Sequence, residues 1–243
     1  MMKQVRIGIA VGLAGWLLTC QATWAQTGTN LNPGTPWPAT DALGRALPSP
    51  EEVGPPRGDR SVAIFYFLWH NNPRGKKPYG EGPYDVAKIL AQDPDALQKP
   101  DSPLWGPVGM YHYWGEPLYG YYRTTDRWVL RKHAELLADA LVDVVIFDNT
   151  NGTATWRESY RALMDTFAQA RRDGVRAPGI AFLLPLFLAN PEDTRTQLRE
   201  LYRDVYAAGF HPEMWYYWKG KPLIMAYPDA LDLTDPLDRE IAA

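Results

Sequence analysis

The chain is 243 residues long, 46% hydrophobic and 22% charged, with a formal net charge of −3. That balance suits a globular domain with a substantial core and excludes a disordered polyelectrolyte. The 25 Lys and Arg residues form no basic cluster, which argues against a nucleic-acid partner held through its phosphates.

In chain order the first feature is a targeting segment. Lys3 and Arg6 lead into an apolar run over residues 7–18, followed by small and polar residues up to Ala25 and Gln26. A run of roughly 12 residues falls short of the about 20 that a membrane span requires, and its flanks fit a secretory signal. The expectation is an exported protein, periplasmic or secreted, with residues 1–25 removed and no membrane span in the mature chain. Lipoprotein processing at Cys20 is the alternative, although Thr19 is a poor match to the small residue needed there. Cys20 is the one cysteine, so neither a disulfide nor a thiolate metal site is available. Residues 26–60 carry Pro33, Pro36, Pro38, Pro48, Pro50, Pro55 and Pro56 with no apolar periodicity, and read as an extended leader.

A strand–helix alternation begins after Arg60. Residues 61–69 (SVAIFYFLW) form a continuous apolar run, as in a strand buried on both faces. A long loop region follows to about Thr125, with a short helix predicted to start near Asp85. Residues 126–141 place Val129, Leu130, His133, Ala134, Leu137 and Leu141 on one helical face. Residues 142–147 predict a second strand, ending at Asp148. Residues 156–172 predict a helix with Tyr160, Leu163, Met164 and Phe167 inward and Gly174 ending it. A third strand is predicted over residues 178–186, then a helix capped by Asn190 and Pro191 with a stripe of Leu198, Leu201, Tyr202, Val205 and Tyr206. Residues 221–227 complete the set as a fourth strand, and Thr234, Asp235 and Pro236 open a last helix.

This order predicts an α/β fold with a parallel sheet. A doubly wound sheet would show a glycine-rich turn after its first strand, whereas here Trp69, His70 and Asn71 stand there. A (β/α) barrel of the TIM type is therefore expected. With about the first four units present, residues 61–243 read as the N-terminal half of the barrel domain in a truncated or partial chain.

Barrel sites lie at the C-terminal ends of the strands. Asp148 leaves the second strand into a polar cluster with Asn149 and Asn151, suited to acid–base work or to binding vicinal hydroxyls. Its bland reading is a cap for the following loop. Glu116 is the second carboxylate candidate, set among aromatic residues where partial burial would favour a general acid. Its bland reading is a solvated loop residue. His70, His112, Tyr113, Trp114 and Tyr121 would complete a wall in which rings pack on sugar C–H faces and polar groups meet hydroxyls. The alternative is that these residues fill a long loop and that the histidines are packing residues. His133 reads as core, and His211 carries no signal. No close metal-ligand spacing occurs, and neither a metal nor an organic cofactor is expected.

The segments SVAIFYFLWH, WGEPLYGYYRTTDRWVLRKHAELLADALVDVVIFDNTNG and HPEMWYYWKGKPLIMAYP together resemble bacterial glycoside hydrolases of the family 71 and 99-like group, over about residues 61–227. The resemblance implies a (β/α) barrel acting on a polysaccharide or complex glycan, with Trp114, Glu116, Tyr121, Tyr122, Asp148 and Asn151 in the matching segment. Two departures stand out. Leu141 occupies a position that is glycine in such sequences. The Trp-Asn-Glu-Trp type segment that carries the family 99 catalytic glutamates is not found and would lie beyond Ala243, so those glutamates are assigned to no residue of this chain. The expected function is an exported glycoside hydrolase. A non-catalytic glycan-binding protein on the same scaffold, or an inactive fragment, is the alternative.

Overall fold

The computed structural model describes residues 40–55, 57–70, 83–186 and 191–242. All of these fall in Leu31–Ala243, the larger of two units into which the chain divides. The signal segment, Cys20, Asn71 and the Asn190 cap lie outside the described residues. The described part of the leader holds a bridge between Thr40 and Ala46 and one helical turn, α1 (Pro50–Val53).

The first strand is β1 (Ala63–Tyr66). The predicted loop region then contains β2 (Tyr84–Asp85), α2 (Val86–Gln92) and β3 (His112–Tyr113), with β2 and β3 paired parallel. The short helix starts where the sequence suggests, because the Asp85 carboxylate accepts from the Lys88 backbone N–H. Next come α3 (Arg127–Asp139), β4 (Val144–Asp148), α4 (Arg157–Arg172), β5 (Gly179–Leu183) and α5 (Pro191–Leu201). A π turn over Tyr202–Tyr206 continues α5. The chain then forms β6 (Tyr217–Trp218), β7 (Lys221–Pro222), β8 (Ile224–Met225) and α6 (Pro236–Ala242).

The expected fourth strand is therefore split. Lys219 and Gly220 both take positive φ, 50° and 82°, making a two-residue turn that folds Lys221–Pro222 back on Tyr217–Trp218. Ile224–Met225 is the part that enters the main sheet.

That sheet runs β1-β4-β5-β8, parallel throughout, so each strand is added beside the last in chain order. The order never reverses, as it would at the switch point of a doubly wound sheet. Among the described residues β1 and β8 remain the two edges, and the sheet does not close on itself. The three crossover helices share one core. Val145, Phe147, Ile180 and Phe182 from the strands pack with Leu130 and Ala134 of α3, Tyr160, Leu163 and Phe167 of α4, and Leu198 and Leu201 of α5. The alternate strand residues, Phe65, Ile146, Ala181, Leu183 and Met225, share the opposite face, which these helices do not cover. Phe65 is 56% exposed there.

Three helix ends use one device. After α3, Leu141 N–H bonds to the Ala138 carbonyl and Val142 N–H to Leu137. Gly174 and Val175 after α4 repeat the pattern, as do Gly209 and Phe210 after the π turn. The pivot residue has a left-handed backbone each time, with φ of 57°, 91° and 59°. Leu141 thus takes a backbone conformation that glycine favours.

Candidate functional site

The parallel strands end together, and the first loop packs over the end of β1. Trp69 stacks on His70 at 5.8 Å and meets Tyr111 at 5.4 Å and Phe67 at 5.2 Å. The Tyr113 hydroxyl donates to the His70 carbonyl at 3.3 Å, and its ring meets Tyr121 edge-on at 5.5 Å. The structure so brings together His70, Tyr113 and Tyr121 from the expected wall. Burial holds the His70 imidazole below its ordinary value, which favours the neutral ring.

Tyr121 leads to a carboxylate that the sequence reading did not single out. Its hydroxyl donates to Asp85 Oδ2 at 2.5 Å, and Asp85 is 4% exposed. That bond, with the helix-capping backbone donors, holds Asp85 below the usual carboxylate range. Burial and the adjacent carboxylate push the Tyr121 phenol up to about 12. Lys88 Nζ joins this group to Glu116, 2.9 Å from Oε2 and 4.0 Å from Asp85 Oδ2. Asp85 was legible as the start of a helix, but its partner Tyr121 lies 36 positions along the chain, and such a pairing leaves no local pattern.

The other expected site residues fall into different environments. Asp148 is half-buried at the end of β4, in phase with the face the helices leave uncovered. Its Oδ1 accepts from the Thr150 N–H at 3.1 Å and from the Thr150 hydroxyl at 2.7 Å, so it does cap the loop. Its Oδ2 has no hydrogen-bond partner among the described residues. Glu116 is not in the partly buried setting expected of a general acid. Its side chain is 51% exposed and paired with Lys88. Trp114 is 78% exposed. Asn151 is exposed in the loop after β4.

Two residues depart from the expected wall. Asn149 is fully buried, because it follows Asp148 by one residue and turns to the helical side. Its Nδ2 donates to the Thr155 carbonyl at 3.0 Å, and its own carbonyl accepts from buried Gln197 at 2.8 Å. His112 is exposed, bound through Nε2 to the Trp105 carbonyl at 2.8 Å, with its ring beside those of Trp105 and Tyr84.

A second polar contact, part-buried, lies beside the site. The Tyr66 hydroxyl lies 2.7 Å from His133 Nδ1, and Tyr122 meets the same imidazole edge-on at 5.6 Å. Burial, helped by Tyr122, raises the Tyr66 phenol, and burial, helped by His70, lowers His133. Tyr66 was legible as a strand residue and His133 as an inward helix residue, but their pairing was not. Among the described residues no cluster of His, Cys, Asp and Glu is arranged to hold a metal, and no helix is long and apolar enough to cross a membrane.

No protein-family model matches the chain, and no curated protein does. Among solved structures it is similar to a GH99 endo-α-mannosidase from Bacteroides thetaiotaomicron in complex with Bis-Tris propane, at 20% identity and a TM-score of 0.43, covering 68% of this chain and 41% of that one. A second structure of GH99 endo-α-mannosidase from the same organism gives 20% identity and a TM-score of 0.41, covering 67% and 44%. The chain thus spans less than half the length of either.

Proposed function

We propose that this chain belongs to an exported carbohydrate-active protein of the glycoside-hydrolase type, with the sugar lying along the C-terminal edge of the sheet. The observation that carries the reading is Asp148. It is a half-buried carboxylate at a strand end, on the face the helices leave uncovered, with one oxygen bound to Thr150 and Oδ2 available to a ligand. The sequence resemblance over residues 61–227 supports the same chemistry. Trp114 offers an exposed ring for sugar packing, and Tyr113 and His70 are bonded to each other in the same loop region.

In glycoside hydrolysis one carboxyl group protonates the leaving oxygen and a second acts as base or nucleophile. Asp148 is suited to orient a hydroxyl or to take one of these roles. Glu116, tied to Lys88, is suited to accept from a rim hydroxyl. The loop-capping bonds of Asp148 and the exposure of Glu116 also favour a second reading, in which the scaffold binds glycan without cleaving it.

The test is a panel of neutral polysaccharides and glycans, assayed both for binding and for released reducing ends. On the hydrolase reading Asp148→Asn abolishes release while binding persists, and Trp114→Ala weakens binding about tenfold, as expected for loss of one aromatic platform. Binding without release from the unaltered chain moves the conclusion to the second reading. Absence of both overturns the proposal.

A further inference from the structure

The helical layer carries a cleft of about 420 Å³ separate from the strand ends, with α3 on one wall, α4 on the other and His211 closing it. Its charged lining is largely matched internally, and the remainder is informative. The lining carboxylate, Asp165, is engaged through Oδ1 with His211 Nε2 at 2.8 Å, while His211 Nδ1 faces Glu213 at 2.9 Å. Both ring nitrogens of His211 therefore have a carboxylate partner. Arg131 is committed to Glu135 and Asp173.

Arg127 and Arg172 are different. The nearest carboxylate oxygen paired with Arg127, Asp165 Oδ2, is 3.7 Å away, beyond hydrogen-bond reach, and the side chain is 73% exposed. Arg172 bonds to the neutral Gln169 amide, at 3.1 Å from Nε and 2.7 Å from Nη2. Asp173, next to it in sequence, is occupied by Arg131 and Gln169. Two guanidinium groups thus present unused N–H donors to one cleft from two helices. The wall residue His211 has a left-handed backbone, with φ of 48°. A non-glycine residue pays about 1 kcal/mol or more for that conformation, and such strain gathers at binding sites.

We propose that this cleft is a binding site for an oxyanion group, a carboxylate, sulfate or phosphate, held between Arg127 and Arg172. Guanidinium groups take such anions through paired N–H donors. The site does not depend on the carbohydrate reading of the strand ends.

The experiment uses the full chain, with inorganic sulfate, glucuronate and glucose as probes, at ionic strength matched with chloride. Thermal shift and isothermal titration are the readouts. Sulfate and glucuronate are expected to bind and to raise the melting temperature, and glucose to do neither. Sulfate binding without glucuronate binding identifies a site for free inorganic anions, and binding of both identifies one that also accepts an anion on a sugar. Arg127→Gln combined with Arg172→Gln should weaken either interaction by about tenfold or more. Both side chains are exposed, so the melting temperature without ligand serves as the folding control. An unchanged response in the double variant, an equal response to glucose, or no response to either anion overturns the proposal.

Discussion

Asp148 and Asn149 leave the same strand one residue apart and meet opposite environments, because side chains alternate across a sheet. Asp148 is half-buried on the open face and loses a loop cap if truncated. Asn149 is fully buried and bridges the β4–α4 loop to Thr155, while Gln197 of α5 reaches its carbonyl. Asn149→Ala leaves the buried Thr155 carbonyl without that donor, a loss of about 2 kcal/mol. The melting temperature should fall by about 4–8 °C. Asp148→Ala removes bonds from a half-exposed side chain and should cost less than half as much. Equal losses in thermal unfolding of the two variants would contradict this division. The polar cluster at the strand end was legible in the sequence. Which member faced the site depended on the phase of the strand, and that phase is set by the helices packed on one side. The run VDVVIF is apolar at nearly every position and does not reveal it. For the same reason the pairings of Asp85 with Tyr121, Lys88 with Glu116 and His133 with Tyr66 came from tertiary packing alone.

The long elements were legible because their apolar stripes keep a helical period over three or more turns, as in α3 and α4, or fill a central strand, as in β4 and β5. The two-residue strands β2, β3, β6 and β7 were not, since a pair of residues has no period to read. Their ends are decided by backbone conformation, and two substitutions test this with opposite signs. Gly209 follows the π turn with φ of 59° and open space where a side chain would go. Gly209→Ala therefore meets backbone strain and no clash, and should destabilise by about 1 kcal/mol. Lys219 is exposed and has φ of 50° at the first position of the β6–β7 turn, before Gly220. Asparagine accepts that conformation and is favoured in such turns, so Lys219→Asn should stabilise by about 0.5 kcal/mol. Denaturant midpoints should move down and up respectively with unchanged slopes. Movement of both in one direction would show that side-chain contacts, not backbone conformation, govern these turns.

The pH dependence of the whole molecule follows from where its titrating groups are buried. His70 and His133 are held below their ordinary value of 6.5, mainly by burial. The unfolded chain therefore takes up their protons first, and stability declines as pH falls through 6.5 toward the folded values. Asp238, fully buried in α6, accepts from Arg199 Nε at 2.6 Å and lies 3.4 Å from Arg195 Nε. The Arg199 bond holds it below the usual carboxylate range, so its contribution is present above about pH 4 and is lost below. At the alkaline end the signs reverse. Burial raises Tyr66 and Tyr206, and pushes Tyr160 up to about 12, so the folded state keeps protons that the unfolded state releases above about pH 10. The melting temperature should thus be level from about pH 7 to 9, and fall in two acid steps and one alkaline step. His133→Gln leaves Tyr66 an amide oxygen as partner while removing one titrating ring, so the first acid step should shrink without vanishing, since His70 remains. Asp238→Asn should lower stability at neutral pH and shrink the second step, because the charge it loses in acid is already gone while Asp85 and other lowered carboxylates remain. A wild-type melting temperature that stays constant from pH 7 to pH 5 would mean that the two imidazoles are charged within the fold at no cost. The part-buried contact between Tyr66 and His133 would then hold equally well with the charged imidazole donating to the phenol oxygen.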